Sequence, residues 1–80
     1  MDTPVPTIGR IVLVPVDPMQ NNGSIVAPAV ITRVWNPSCV NVRILLDGPE
    51  TPWRTSLTYV SSVSALPPGP AHVWTWPPRT

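Results

Sequence analysis

The chain contains no lysine and no phenylalanine, one cysteine and one histidine, and charged residues make up only 11% of its 80 positions. Each shortage closes off a class of protein. A single cysteine, Cys39, forms no internal disulfide, which fits a reducing compartment better than a disulfide-stapled secreted scaffold. A formal net charge of +1 provides no basic face of the kind duplex nucleic acid requires, so that partner is excluded. A triad needs a nucleophile, a histidine and an orienting acid, and nothing in the sequence brings Cys39 to His72. The four acids, Asp2, Asp17, Asp47 and Glu50, have neither metal-ligand spacing nor the pairing of a glycosidase site. The four glycines are unclustered, so there is no phosphate-cradling loop. The expectation is a protein that is not an enzyme and uses no metal or cofactor. No apolar run approaches the ~20 residues of a membrane span. Met1-Asp2-Thr3-Pro4 lacks the basic region and apolar run of a signal peptide, so the protein is expected to stay where it is made, away from membranes.

What the chain has in abundance is proline, thirteen residues. Proline breaks helix interiors, and no proline-free stretch combines helical length with a 3.6-residue apolar period. The expected fold class is therefore all-β with essentially no helix. Residues 8–14, Ile-Gly-Arg-Ile-Val-Leu-Val, read as the first strand. Residues 15–25 form a long loop whose Asn21-Asn22-Gly23 is turn chemistry. Pro28 limits the next strand to 29–35, and Asn36-Pro37-Ser38 turns it into a strand over 39–46. There Val40, Val42, Ile44 and Leu46 alternate with Asn41, Arg43 and Leu45, the mark of a half-buried antiparallel strand. After the turn-rich residues 47–52, strict alternation over 53–60 puts Trp53, Thr55, Leu57 and Tyr59 on one face and Arg54, Ser56, Thr58 and Val60 on the other. Leu66-Pro67-Pro68-Gly69-Pro70 is irregular, and a brief last strand follows over 72–76. Five short strands with a long first loop describe a small SH3-like barrel, preferred here over an OB-like one. One domain spans 1–80, with an extended lead-in over 1–7 and a short proline-rich tail over 77–80. So short a chain buries a thin core, and a homo-oligomer is expected.

Four tryptophans and five arginines hold most of the chemical interest. Trp74 and Trp76 are two apart on one strand, so their rings project from one face; Trp35 and Trp53 lie at strand ends. Such rings can stack bases or anchor proline-rich peptides. They can equally fill a small core, seal a barrel or make a subunit interface. Arg33 and Arg54 lie beside Trp35 and Trp53, where an arginine can hold phosphate while a ring stacks a base; codon usage alone also produces an arginine bias. Thr55 and Ser56 add hydroxyls, and Arg10, after Gly9, is either an anion contact or a structural ion-pair or capping residue. The candidate ligand-binding set is Arg10, Arg33, Trp35, Arg54, Thr55, Trp74 and Trp76. Cys39, at a strand start, reads as a small buried hydrophobe.

The segments Ile8-Gly9-Arg10-Ile11-Val12, Pro28-Ala29-Val30-Ile31-Thr32-Arg33-Val34-Trp35, Cys39-Val40-Asn41-Val42 and Trp74-Thr75-Trp76-Pro77-Pro78 together resemble a widespread group of small bacteriophage proteins. In these the order GRIV, an AIVT strand and a TWHWP ending recurs. The chain departs from the pattern at its end: Val73 and Thr75 stand where threonine and histidine are usual, and His72 precedes them. No role is carried over to that histidine. In size, fold and phage setting the chain is similar to phage sponge proteins, which bind the cyclic nucleotide signals of CBASS-type defence without cleaving them and hold ligand between subunits. The resemblance implies an immune-evasion protein in the cytoplasm of the bacterial host, an oligomer that takes a cyclic oligonucleotide. A near-neutral surface is compatible with a ligand of only two or three charges. The alternatives are an SH3-like interaction module that blocks a host protein and a small accessory virion part.

Overall fold

A computed structural model describes residues 4–78. Five strands, β1 (Ile11–Pro15), β2 (Val26–Asn36), β3 (Cys39–Ile44), β4 (Trp53–Tyr59) and β5 (Val73–Trp74), pair in sequence order into one sheet. The first four form an antiparallel meander. β5 runs parallel to β4, and an antiparallel bridge between Leu13 and Thr75 ties it back to β1. The result is the expected all-β, five-stranded, nearly closed barrel with a long first loop. The described residues hold no α-helix, only two single 3-10 turns, Pro18–Gln20 and Val63–Ala65.

Alternating side chains fill the interior. Val12 and Val14, Ala27, Ala29 and Ile31, Val40, Val42 and Ile44, Leu57 and Trp74 are all fully buried. Each large aliphatic group so enclosed contributes about 1.5–3 kcal/mol relative to exposure. Trp74 plugs the barrel where β5 crosses it. Its ring meets Tyr59 at 5.0 Å and Trp76 edge-on at 5.3 Å, and its indole N–H donates to the Ser38 carbonyl at 3.1 Å.

Several element boundaries differ from the sequence expectation, each for a local reason. β1 starts at Ile11 rather than residue 8, because the chain turns there: Arg10 N–H bonds Thr7 O, and Gly9 sits at φ +94°, a conformation glycine adopts without a Cβ penalty. β2 runs straight through Pro28. The carbonyl of Pro28 accepts from Leu45 N–H, just past the end of β3. A residue's N and O point to the same neighbour in an antiparallel ladder, so the missing donor of Pro28 faces the frayed end of β3. β3 stops at Ile44, β4 at Tyr59, and β5 is confined to Val73 and Trp74. Residues 4–7 form no ladder. Residues 1–3 of the expected lead-in and residues 79–80 of the expected tail lie outside the described residues.

The strict alternation expected for β4 is also corrected. Val40 pairs with Leu57, but Val42 pairs with Arg54, so Thr55 and Ser56 together oppose Asn41. This is a β-bulge, with Ser56 at φ +60°. The extra residue inverts the phase of the strand. Arg54 joins Val42 and Leu57 on the inner side, while Trp53 pairs with Arg43 on the outside.

The long loop is held by its asparagines. Asn21, 3% exposed, donates to Ser24 O and Val26 O and accepts Asp47 N–H at 2.7 Å. Asn22, at φ +48°, donates to the carbonyl and carboxylate of Asp47. The turn chemistry read from Asn21-Asn22-Gly23 thus also welds the first loop to the β3–β4 loop.

Candidate functional site

Two more register breaks lie on β2. Between the Ile31–Val42 and Arg33–Asn41 pairs β2 carries Thr32 as an extra residue, and between Val34–Val40 and Asn36–Cys39 it carries Trp35. Asn41 therefore sits between bulges on both neighbouring strands. Bulges leave an amide unpaired and re-aim side chains, and here Asn41 absorbs both effects.

The Asn41 Oδ1 accepts three hydrogen bonds: from Trp35 Nε1 at 2.9 Å, from Thr55 Oγ at 2.8 Å and from the Ser56 backbone N–H at 2.9 Å. Three converging donors require an oxygen at that position, which fixes the orientation of the amide. Asn41 lies on the outer side of the sheet, as its place in the alternation predicts, yet it is only 6% exposed because Trp35 and Thr55 close over it. Its part in the site was missed from sequence; an asparagine in the middle of an otherwise regular strand was the available signal.

This arrangement fixes Trp35 by its N–H and leaves the residue 52% exposed. The Arg33 guanidinium lies over the Trp35 ring, 4.2 Å from its centroid. The expected Arg33–Trp35 pair is thus formed, and it is a built platform: one bulged strand, one anchored indole, one exposed cation. Thr55 lies beside it, but its single hydroxyl proton is given to Asn41. In the 3.2 Å contact with Ser56 Oγ, Ser56 must then be the donor. Thr55 therefore positions the platform and has no free proton for a ligand. The Thr55 carbonyl meets His72 Nδ1 at 3.0 Å, which brings the lone histidine to the rim of the same region.

The other candidate residues are placed elsewhere. Arg10 lies over Trp76, 5.1 Å from the ring centroid, forming a second cation–aromatic pair that sequence spacing did not suggest. The indole N–H of Trp76 is buried without a partner among the described residues. Trp74 and Trp76 do project together, but Trp74 is fully enclosed and presents no face for stacking. Arg54 does not join Trp53: the bulge sends it inward, where Nη1 donates to Pro15 O at 3.3 Å. Desolvation by burial lowers its pKa from the ordinary arginine value. Trp53 stands outside, 54% exposed. Cys39, expected to be buried, is half-buried. Among the described residues no group of three or more metal-ligating side chains comes together, and no helix is long and apolar enough to cross a membrane.

No family model, curated protein or solved structure matches the chain.

Proposed function

We propose that this protein binds and sequesters a cyclic nucleotide second messenger without altering it, acting as a sponge against anti-phage signalling in the host cytoplasm. The observation that carries the reading is the Arg33 guanidinium stacked 4.2 Å over a Trp35 ring that Asn41 holds in place. A guanidinium over an aromatic ring presents flat stacking area and phosphate donors together, the two features of a nucleotide that need recognition. The Arg10–Trp76 pair repeats the combination elsewhere on the barrel. Sequestration requires affinity and no acid–base machinery, and the motif order shared with small phage proteins points the same way.

The test is a thermal-shift series against cyclic di- and trinucleotides, with the linear forms as controls. Ligand at 100 times its Kd stabilises the folded state by about 2.7 kcal/mol, roughly 10–20 °C for a domain of this length. A shift with one cyclic species, and its recovery intact after denaturation, supports the reading. No shift with any cyclic species at high micromolar concentration overturns it.

One observation favours a second reading, a protein-interaction module. Ile11, Val30, Arg43 and Trp53 pair successively across β1 to β4. Directly paired residues share a face, so they form an outward row in which Ile11 and Trp53 are 43% and 54% exposed. A host protein retained through this row, lost on Trp53→Ser and indifferent to nucleotides, would select that reading.

A further inference from the structure

The loop after β1 and the loop between β3 and β4 are stapled together by Asn21 and Asn22, and between them lies an open cleft of about 280 Å³. Met19, Leu46 and Pro49 give it apolar walls; Asp47 and Glu50 give it two carboxylates. Met19 is 90% exposed, so its side chain is free to pack against a guest. The cleft calls for a guest with an apolar body and a cationic end.

The chain carries such a guest in Pro77-Pro78-Arg79. Two prolines favour an extended polyproline conformation that loses little entropy on docking, and the guanidinium that follows matches a carboxylate in a bidentate fork. Pro77 and Pro78 are exposed as the chain leaves the barrel.

Geometry decides whose cleft the segment fills. Thr75 bridges Leu13 in the antiparallel sense, so the chain beyond it runs back along β1 toward Arg10, whose guanidinium covers Trp76. The cleft adjoins the opposite end of β1, past Pro15. Pro77 and Pro78 therefore lead away from the molecule's own cleft.

We infer that Pro77-Pro78-Arg79 of one molecule docks into the Met19, Leu46, Pro49, Asp47 and Glu50 cleft of a second copy, with Arg79 on Glu50 and Asp47. The contact is heterologous, head to tail, and propagates into a ring or an open chain depending on the rotation between copies. It leaves Arg33 and Trp35 free and is independent of what they bind.

Charge reversal on the full chain tests this by sedimentation velocity across micromolar to millimolar concentration, with circular dichroism confirming the fold of each variant. Glu50→Arg and Arg79→Glu are each expected to weaken self-association by about two- to fivefold, as for loss of an exposed pair. The double variant, which restores opposite charges, is expected to regain most of it. Raising the salt concentration weakens the native assembly and the double variant alike. A protein that is monomeric throughout, or an assembly that ignores both single reversals, or single variants that weaken without recovery in the double, overturns the inference. Because nucleotide binding is read by thermal shift on the same variants, failure of one proposal is separable from failure of the other.

Discussion

Replacing Asn41 is the most searching test of the site's construction, because one oxygen serves three donors there. In Asn41→Ala the Ser56 N–H, the Trp35 indole N–H and the Thr55 hydroxyl, all in part-buried bonds, lose their acceptor. Each forfeits a net bond of roughly 0.5–1.5 kcal/mol. The expected loss is about 1.5–4.5 kcal/mol against a total of ~4–12 kcal/mol for a domain this small. That lowers the melting temperature by roughly 6–36 °C. Asn41→Asp keeps an oxygen in the same place, and three donors favour its ionised form, so at neutral pH it is expected to lose less than half as much. Calorimetric melts of the two variants decide the matter. An alanine variant melting within about 2 °C of the native protein, or an aspartate variant as unstable as the alanine one, refutes the account.

Arg33→Gln is expected to weaken cyclic-nucleotide binding by about 10- to 100-fold, the value of a hydrogen bond to a charged group, while the melting temperature of the free protein stays within about 2 °C; titration calorimetry reads the first and a melt the second. Ser56→Gly removes the Cβ from a residue at φ +60° and should stabilise the fold by about 0.5–1 kcal/mol in urea unfolding; a destabilised variant would show that the Ser56 hydroxyl matters more than the backbone. Trp74→Ala empties the centre of the barrel and is expected to cost about 3–5 kcal/mol, enough to leave much of the protein unfolded by near-ultraviolet circular dichroism. Asn21→Ala removes one of the two asparagine ties between the first loop and the β3–β4 loop at a cost of about 1–3 kcal/mol, and hydrogen exchange should show the Asp47 amide exposed first.

The fold was legible because its signals were local and redundant. Proline excluded helices, and period-two alternation in residues 39–46 placed Val40, Val42 and Ile44 inside. What sequence could not show was phase. A bulge inserts one residue without any composition signal, and the bulge at Thr55 and Ser56 moved Arg54 to the inside and Trp53 to the outside. Strict alternation had grouped Trp53, and not Arg54, with Leu57. Pro28 misled for a related reason: its effect depends on whether a neighbour is present opposite its nitrogen, and that is a property of β3. Of the candidate site, Arg33 and Trp35 were readable as near neighbours on one strand. Arg10 and Trp76 meet only because the barrel closes, which no local spacing encodes. Asn41 looked like an ordinary solvent-facing residue.

The closing bridge between Leu13 and Thr75 has a kinetic consequence. Until β5 arrives, β1 has one neighbour and an open edge, and Trp74, the plug of the core, is absent. The β1–β4 meander pairs neighbours in sequence, so closure by β5 is expected to come after it, and any truncation before Thr75 leaves an open sheet prone to pairing with its neighbours.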